Sequence, residues 1–141
     1  MTDVELVKEA LKAREKAYAP YSTHKVGAAL ETTEGKLYLG CNIENAAYTP
    51  TSCAERTAFF TAVYEGERSF KRIAVVGGLE EATKLGLCAP CGVCRQVMME
   101  FCDPKTFEII LAEVEGESII PKKYTLEELL PLGFGPSALN K

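Results

Sequence analysis

Two cysteine-containing segments have residue types and a spacing suited to metal chemistry. Cys91 and Cys94 form a Cys-x-x-Cys pair, and Cys53 begins the sequence Cys-Ala-Glu. A Cys-x-x-Cys pair at a helix start can bind one Zn²⁺, and one further thiolate leaves the fourth tetrahedral position open for water. Three ligands and an open position are typical of a catalytic zinc site. Taken alone, the Cys-x-x-Cys pair would favour a redox pair or half of a structural zinc site.

Two charged side chains follow Cys53 closely. Glu55 lies two residues beyond this proposed ligand, which places its carboxylate near the metal without making it a ligand. A carboxylate beside a zinc-bound water can generate hydroxide and carry the proton to a leaving group, so we predict that Glu55 is the general acid and base. Arg56 shares a helical face with Cys53, and we expect it to donate hydrogen bonds to a ligand sulfur. Arg95 is a weaker candidate for the same role.

The other cysteines, Cys41, Cys88 and Cys102, are predicted to be structural, because free cysteines are commonly small buried hydrophobic residues. Six cysteines in a chain without a recognisable leader are better explained as reduced thiols, metal ligands or catalytic groups than as disulfides. The alternative is a secreted scaffold with three disulfides. A chain of 141 residues with 47% hydrophobic content does not need such cross-links.

The composition indicates one globular domain, residues 1–141, that acts on a small solute. The charged fraction is 26%, the net charge is −4, and no block of Lys and Arg supplies the basic surface that holds a nucleic-acid backbone. The first ten residues do not resemble a secretion signal, and no apolar run approaches the roughly 18 residues of a membrane span. We therefore expect a cytoplasmic protein that binds neither nucleic acid nor membranes.

The predicted helices place both cysteine segments at helix starts. Capping boxes at Thr2–Glu5 and Thr125–Glu128 predict a first helix that reaches about Tyr18 and a short last helix. Two further helices are predicted over 53–65 and from Pro90 to about Cys102. The unpaired N–H groups and the positive dipole ends of these two helices would then stabilise the thiolates.

Strands are predicted between the helices, where short apolar runs end at turn residues. The predicted strands are 25–32, 37–41, 72–76, 107–114 and 118–120. Gly77-Gly78 is expected to end the third of them. The order of elements indicates an α/β fold, in which a single mixed sheet of about five strands is covered by helices on both faces.

Cys-Ala-Glu followed by Pro-Cys-x-x-Cys resembles the zinc site of the short, homotetrameric cytidine deaminases. The likeness covers nearly the whole chain. Segments that match in the family's order are 19–22, 26–30, 40–48, 53–58 and 128–131. The resemblance implies a three-layer sandwich, a homotetramer and one Zn²⁺ per subunit. The implied reaction is hydrolysis of cytidine and 2′-deoxycytidine to uridine and 2′-deoxyuridine with release of ammonia, a step of pyrimidine salvage.

The resemblance also assigns residues to the nucleoside. Asn42 and Glu44 stand where the family holds the ribose hydroxyl, which favours nucleosides over free bases. An amide and a carboxylate on alternate residues of an extended segment point the same way and can both bind a hydroxyl. Without the family context, these two residues would more simply cap or salt-bridge a loop. In the family's mechanism, Glu55 carries protons between the attacking water, N3 of the pyrimidine and the departing amine.

Four more residues are expected to contact substrate. Ala54 and Tyr48 would line the pocket. His24 stands near the position of a Phe that packs on the pyrimidine in the family, and imidazole can still stack on a base; the alternative is a simple surface histidine. Phe134 lies between glycines in the tail and, by resemblance, reaches into a neighbouring subunit's site. The alternative for Phe134 is that it seals its own subunit's core.

Other functions remain open. A non-enzymatic zinc module that binds a partner would need a fourth ligand, for which no residue has matching spacing. A deaminase could instead act on a cytosine-containing antibiotic or on RNA. The segment Asn42–Asn45 argues against the antibiotic, and the acidic charge argues against RNA.

Overall fold

The computed structural model describes residues 1–139. Four α-helices are present in this range: α1 (Asp3–Arg14), α2 (Ala54–Tyr64), α3 (Gly92–Phe101) and α4 (Leu126–Leu129). The six strands are β1 (His24–Thr32), β2 (Leu37–Cys41), β3 (Phe70–Leu79), β4 (Lys84–Leu85), β5 (Glu108–Glu115) and β6 (Ser118–Thr125). A 3-10 turn follows at Pro136–Leu139. None of the helices in the described range is long and apolar enough to cross a membrane.

The strands form one mixed sheet. β1 lies between β2 and β3 and is antiparallel to both, whereas β3 and β5 are parallel and α3 lies in the connection between them. β4 and β6 both pair with β5 in antiparallel fashion. The predicted α/β fold with a single mixed sheet is confirmed, although the sheet has six strands rather than about five.

Helices cover both faces of the sheet. Because successive residues of a strand point to opposite faces, each strand contributes to two cores. The core on the α1 face contains Leu6, Val7, Ala10, Ala29, Ala74, Val76, Ile110 and Ala112. The core on the opposite face, under α2, α3 and α4, contains Ala28, Leu30, Ala58, Phe59, Ile73, Val75, Met98, Ile109 and Leu126. The protein is therefore a three-layer sandwich, with α2 and α3 side by side on one face.

Gly40 in β2 lets α2 approach the sheet closely. A Cβ atom at Gly40 would lie 2.3 Å from the carbonyl oxygen of Ala54 and 2.6 Å from the backbone nitrogen of Ala58. No side chain fits in that space. Since Ala54 is the first residue of α2, this contact places the N-terminal end of the helix against the sheet.

Several element ends differ from the sequence expectations for non-local reasons. α1 ends at Arg14 rather than near Tyr18, because the chain then crosses to pair with the segment after β2. The backbone N–H of Tyr18 donates to Asn42 (3.0 Å), and its carbonyl accepts from Glu44 (2.8 Å). This pairing fixes the segment that contains both ribose-binding candidates.

Two predicted strands were also too short, because they were expected to end before Gly77-Gly78 and at Ile120. β3 continues through Gly77 and Gly78 because both pair with β1. β6 continues through Pro121 to Thr125, paired with β5. Proline is tolerated on an edge strand, where its missing N–H faces away from the ladder. The two-residue strand β4 was not predicted, since it carries too little pattern to be recognised.

Candidate active site

The sulfur atoms of Cys53, Cys91 and Cys94 converge at the N-terminal ends of two helices. Cys53 is the N-cap of α2, Cys91 is the N-cap of α3, and Cys94 lies in the first turn of α3. The three sulfurs all lie within 4.8 Å of one another, and those of Cys53 and Cys91 are 3.9 Å apart. Sulfurs bound to a tetrahedral Zn²⁺ at about 2.3 Å are about 3.8 Å apart. The observed spacing therefore fits a zinc ion with three sulfur ligands and one open position.

The surroundings of Cys53 favour its thiolate, the form that binds metals. A hydrogen bond from the Cys94 thiol, and then the Arg56 guanidinium, lower the pKa of Cys53 to about 5, although burial acts in the opposite direction. The Nη2 atom of Arg56 lies 3.2 Å from the Cys53 sulfur. The same hydrogen bond to Cys53, together with burial, raises the pKa of Cys94. Cys53 is therefore the first of this pair to ionise.

The two arginines near the cysteines have different contacts. Arg56 donates to the Cys53 sulfur, as expected from their spacing on one helical face. Arg95 instead donates to the carbonyl oxygens of Pro90 (2.7 Å) and Leu129 (2.6 Å). Arg95 thus holds the loop before Cys91 against α4 and makes no use of its charge at a ligand sulfur.

Glu55 lies beside the three thiols in the first turn of α2 and is only 4% exposed. Burial is the main cause that raises the pKa of Glu55 to about 7, and the negative charge of Cys53 adds to the effect. A carboxyl group that gains and loses a proton near neutral pH is suited to general acid–base chemistry.

One open cavity of about 230 Å³ brings most of the predicted site residues together. Those that line it are His24, Asn42, Glu44, Cys53, Ala54, Glu55 and Cys91. The remaining wall is formed by Ser22, Val26, Thr51, Ser52, Cys88 and Ala89. A small solute in this cavity would be within reach of the thiols, Glu55, Asn42 and Glu44.

Asn42 is buried and holds the first residues of β1. Its Oδ1 accepts from the backbone N–H of Val26 (2.9 Å), and its Nδ2 donates to the carbonyl of His24 (2.8 Å). An amide oxygen has two lone pairs and an amide nitrogen has two protons. Asn42 therefore keeps one acceptor and one donor position while it supports the cavity wall.

Glu44 is bound in a similar way to the segment before β1. Its Oε1 accepts from the backbone N–H groups of Tyr21 (3.0 Å) and Ser22 (3.1 Å), and the Ser22 hydroxyl donates to its Oε2. These hydrogen bonds, the Ser22 hydroxyl foremost, lower the pKa of Glu44 and keep its carboxylate ionised. Each carboxylate oxygen accepts more than one hydrogen bond. Glu44 can thus organise its loop and still accept from a ligand hydroxyl.

Tyr48 and Phe134 lie outside this cavity. Tyr48 is 73% exposed and lines an adjoining cavity together with Tyr21, whose ring it meets edge-on at 6.4 Å between centroids. Phe134 is 59% exposed, and its carbonyl accepts from Nε2 of Gln96 (2.8 Å). The glycines on either side of Phe134 pack against Met99, whereas Phe134 itself is mostly exposed. Phe134 therefore does not seal the core of its own subunit.

Cys88 and Val26 are two of the six wall residues that the sequence reasoning missed. Cys88 was assigned a structural role together with Cys41 and Cys102, yet it lines the cavity. Its position three residues before Cys91 was the available signal. Burial raises the pKa of Cys88 to about 11, so its thiol is uncharged at neutral pH and forms an apolar wall. All six cysteines are unpaired, which does not fit the disulfide scaffold.

An α/β sandwich with three thiols and a buried carboxyl group at the ends of two helices has the parts of a zinc-dependent hydrolase. Residues 1–109 match the family described as cytidine and deoxycytidylate deaminase zinc-binding region. The chain belongs to the cytidine deaminase family and is a hydrolytic deaminase. The resemblance found in the sequence is thereby confirmed.

Similar proteins extend over nearly the whole chain. A cytidine deaminase from Sporosarcina psychrophila is 49% identical over 139 residues, which cover 98% of this chain and 96% of the relative. The 1.6 Å crystal structure of a cytidine deaminase from Burkholderia pseudomallei superimposes with a TM-score of 0.83 at 48% identity, covering 95% of this chain and 100% of that one. A Blasticidin-S deaminase from Bacillus cereus is 33% identical, covering 94% of this chain and 91% of the relative.

Proposed function

We propose that the protein hydrolyses cytidine and 2′-deoxycytidine to uridine and 2′-deoxyuridine with release of ammonia, as a cytoplasmic enzyme of pyrimidine salvage. The observation that carries this proposal is a single cavity that contains Glu55, two of the converging cysteines, Asn42 and Glu44. Metal ligands and a proton carrier suit the reacting C4 atom. Groups in the same cavity that can bind hydroxyls suit a ribose. The unpaired thiols favour a reducing compartment.

Glu55 is the proton carrier of the proposed mechanism. Cys53, Cys91 and Cys94 would hold Zn²⁺, which would lower the pKa of a water molecule and so favour it as the nucleophile. Glu55 accepts a proton from the attacking water and donates it to N3 of the pyrimidine. Once the water oxygen has bonded to C4, Glu55 takes its remaining proton and donates it to the amine, which leaves as ammonia when the C4–N bond breaks. Water and a cytosine nucleoside thus become ammonia and a uracil nucleoside. Because Glu55 is only 4% exposed, bulk water has little access to these transfers.

The other cavity residues position the nucleoside and the metal. Asn42 and Glu44 keep hydrogen-bonding capacity for the ribose, while Ala54 and His24 border the base. Arg56 keeps the Cys53 sulfur anionic through its hydrogen bond of 3.2 Å. Tyr48 lines the adjoining cavity, and Glu44 lines both that cavity and the main one. Tyr48 would therefore contact substrate from the ribose side.

We further propose that residues 1–141 form one deaminase domain, which assembles as a homotetramer with one Zn²⁺ per subunit. Large apolar side chains remain exposed on the single chain, and such surfaces mark interaction sites. Examples are Tyr48, Phe60, Tyr64, Leu132 and Phe134, all more than half exposed. Phe134 would then complete the pocket of a neighbouring subunit.

The proposed reaction is tested by ammonia release. The purified protein should release ammonia from cytidine and 2′-deoxycytidine and contain zinc in proportion to subunits. Cytosine should react far more slowly, because it lacks the ribose that Asn42 and Glu44 bind. CMP and blasticidin S are assayed in parallel. A protein that retains zinc but releases ammonia only from blasticidin S, or from none of these compounds, would contradict the proposal.

Phe134→Ala is expected to raise KM for cytidine roughly threefold to tenfold, because the change removes aromatic contact from the pocket and touches no metal ligand. Zinc content should stay the same. KM and zinc content are measured on the purified variant, and sedimentation gives its oligomeric state. An active monomer in the unaltered protein would contradict the shared pocket.

Mixed assemblies show whether Phe134 acts on its own subunit or on a neighbour. Co-assembly of Phe134→Ala chains with Glu55→Gln chains creates some pockets with both side chains intact, provided that Phe134 comes from the neighbour. These mixtures should exceed the average activity of the two parents at low substrate. The matched control mixes Phe134→Ala chains with chains that carry both substitutions, which cannot create an intact pocket. Equal activity in the two mixtures would place Phe134 outside the neighbour's site.

A further inference from the structure

Two apolar side chains, Val26 and Cys88, form the part of the cavity wall that lies against strand β3. Both line the cavity. Val26 pairs directly with Gly77 in the β1–β3 ladder, and Cys88 follows β4 in the loop that leads to the metal-binding cysteines. The room available for a base in this cavity therefore depends on how close these two side chains lie to β3.

Gly77 has no side chain at the point where both of them approach. A Cβ atom at Gly77 would lie 2.8 Å from the Cys88 sulfur and 2.8 Å from the Cγ2 of Val26, where ordinary contacts are 3.4–4 Å. It would also lie 3.3 Å from the carbonyl oxygen of Lys25. The space that a Cβ would fill is thus occupied by the two wall side chains.

The backbone does not require glycine at this position. The glycines with positive φ in the described residues are Gly35, Gly66 and Gly116, and Gly77 is not among them. Glycine in the interior of a strand weakens the strand and often marks a close approach by another group. Here the approaching groups are Cys88 and Val26, so the reason for glycine is steric.

We propose that Gly77 is a positioning residue that sets the width of the base pocket, because its missing Cβ lets Cys88 and Val26 lie back from the cavity. A methyl group at position 77 would push both side chains away from β3, and the cavity lies on that side. The inference rests on the proposed function only in that a nucleoside occupies this cavity. It requires no change at a metal ligand or at Glu55.

Gly78 provides a matched control in the same strand. Neighbouring strand residues face opposite sides of the sheet, and a Cβ at Gly78 would lie 2.7 Å from Cδ2 of Leu85. Leu85 belongs to the core on the α1 face, away from the cavity. Gly78→Ala therefore introduces the same methyl group and an equally close contact without touching the pocket wall.

The test compares Gly77→Ala and Gly78→Ala in the full-length zinc protein. Gly77→Ala is expected to raise KM for cytidine and Kd for uridine roughly tenfold, the scale of one methylene group in a pocket, while kcat and zinc content change little. Gly78→Ala should lower Tm and leave KM and Kd unchanged. Equal KM values for Gly77→Ala and the unaltered protein, or an equal rise in KM for Gly78→Ala, would overturn the inference.

The Cys88→Ala protein tests whether the effect of Gly77→Ala on KM depends on the side chain of Cys88. In Cys88→Ala protein, Gly77→Ala should raise KM several-fold less than in the unaltered protein, since the sulfur that it displaces is gone. The same rise in both backgrounds would overturn the inference. If Gly77→Ala does not fold, Cys88→Met extends the same wall with Gly77 in place: a raised KM with zinc retained supports the inference, and an unchanged KM overturns it. Ammonia release by the unaltered protein tests the proposed function separately. If no ammonia is released, the Kd for uridine of each variant still tests whether Gly77 sets the width of the pocket.

Discussion

Glu55→Gln is expected to lose almost all turnover while it keeps zinc and still binds nucleoside. The amide preserves the shape of the side chain but cannot carry a proton between the attacking water, N3 and the leaving amine. Positioned acid–base groups typically contribute about 10²- to 10⁴-fold, and we expect a loss of kcat in that range. Because Glu55 is only 4% exposed, bulk water cannot easily replace it. The measurements are kcat with cytidine, zinc content, and uridine binding by calorimetry.

Glu65→Gln is the matched control for this variant. Glu65 is the C-cap residue at the other end of α2, exposed to solvent and remote from the cavity. The chemical change is the same, so turnover should stay near that of the unaltered protein. Near-normal turnover in Glu55→Gln would remove Glu55 from the mechanism. Loss of zinc in that variant would show instead that its carboxyl group supports the metal.

The parts of the site that the sequence could predict are those determined by local geometry. Cys91 and Cys94 are separated by one helical turn, and Glu55 follows Cys53 within a turn, so each pair has one short-range arrangement once its helix forms. Helix-forming composition after Cys53 and Pro90 before Cys91 predicted that both cysteine segments begin helices. The structure brings the two helix starts together on one face of the sheet, and the resemblance to a family supplied this long-range step in advance.

The parts that could not be predicted depend on contacts between distant segments. The residues after Arg14 continue a helix-forming pattern, but hydrogen bonds between Tyr18 and the Asn42–Glu44 segment hold them in another conformation. Gly77-Gly78 has the composition of a turn, but its pairing with β1 keeps it in a strand. Cys88 lines the cavity with its sulfur in the space beside Gly77. Local propensity contains no information about any of these three contacts.

Tyr48 and Phe134 show a different limit of prediction from the sequence of a single chain. Both were expected to contact substrate, and both are exposed and lie outside the main cavity of the single chain. The resemblance assigns Phe134 to a neighbouring subunit's pocket, and its exposed side chain is available for such a contact. The hydrophobic pattern of one chain does not show which residues contact another subunit. The roles of Tyr48 and Phe134 therefore stay predictions, and the mixed assemblies test that of Phe134.

Replacing any one of Cys53, Cys91 and Cys94 by Ala is expected to remove most of the zinc and abolish activity. Loss of a hydrogen-bond partner to a metal ligand already costs roughly 10- to 100-fold in metal affinity, and loss of a ligand should cost more. Two remaining thiolates cannot complete the site that all three sulfurs form, in which each lies within 4.8 Å of the others. Zinc content by elemental analysis and ammonia release from cytidine are measured on each variant.

Cys41→Ala, Cys88→Ala and Cys102→Ala are the controls for this loss, because they remove a thiol of the same size from outside the cluster. All three should retain zinc, and zinc content is the deciding measurement, since Cys88 also forms the cavity wall. Burial raises the pKa of each of these three thiols, so they stay protonated where Cys53 is ionised. The sulfurs of Cys53, Cys91 and Cys94 converge within one cluster, and those of the three controls are not part of it, which is the physical reason to expect two distinct classes of cysteine. Zinc loss in any of the three controls would show that the ligands were chosen wrongly, and full zinc content in Cys53→Ala would show the same.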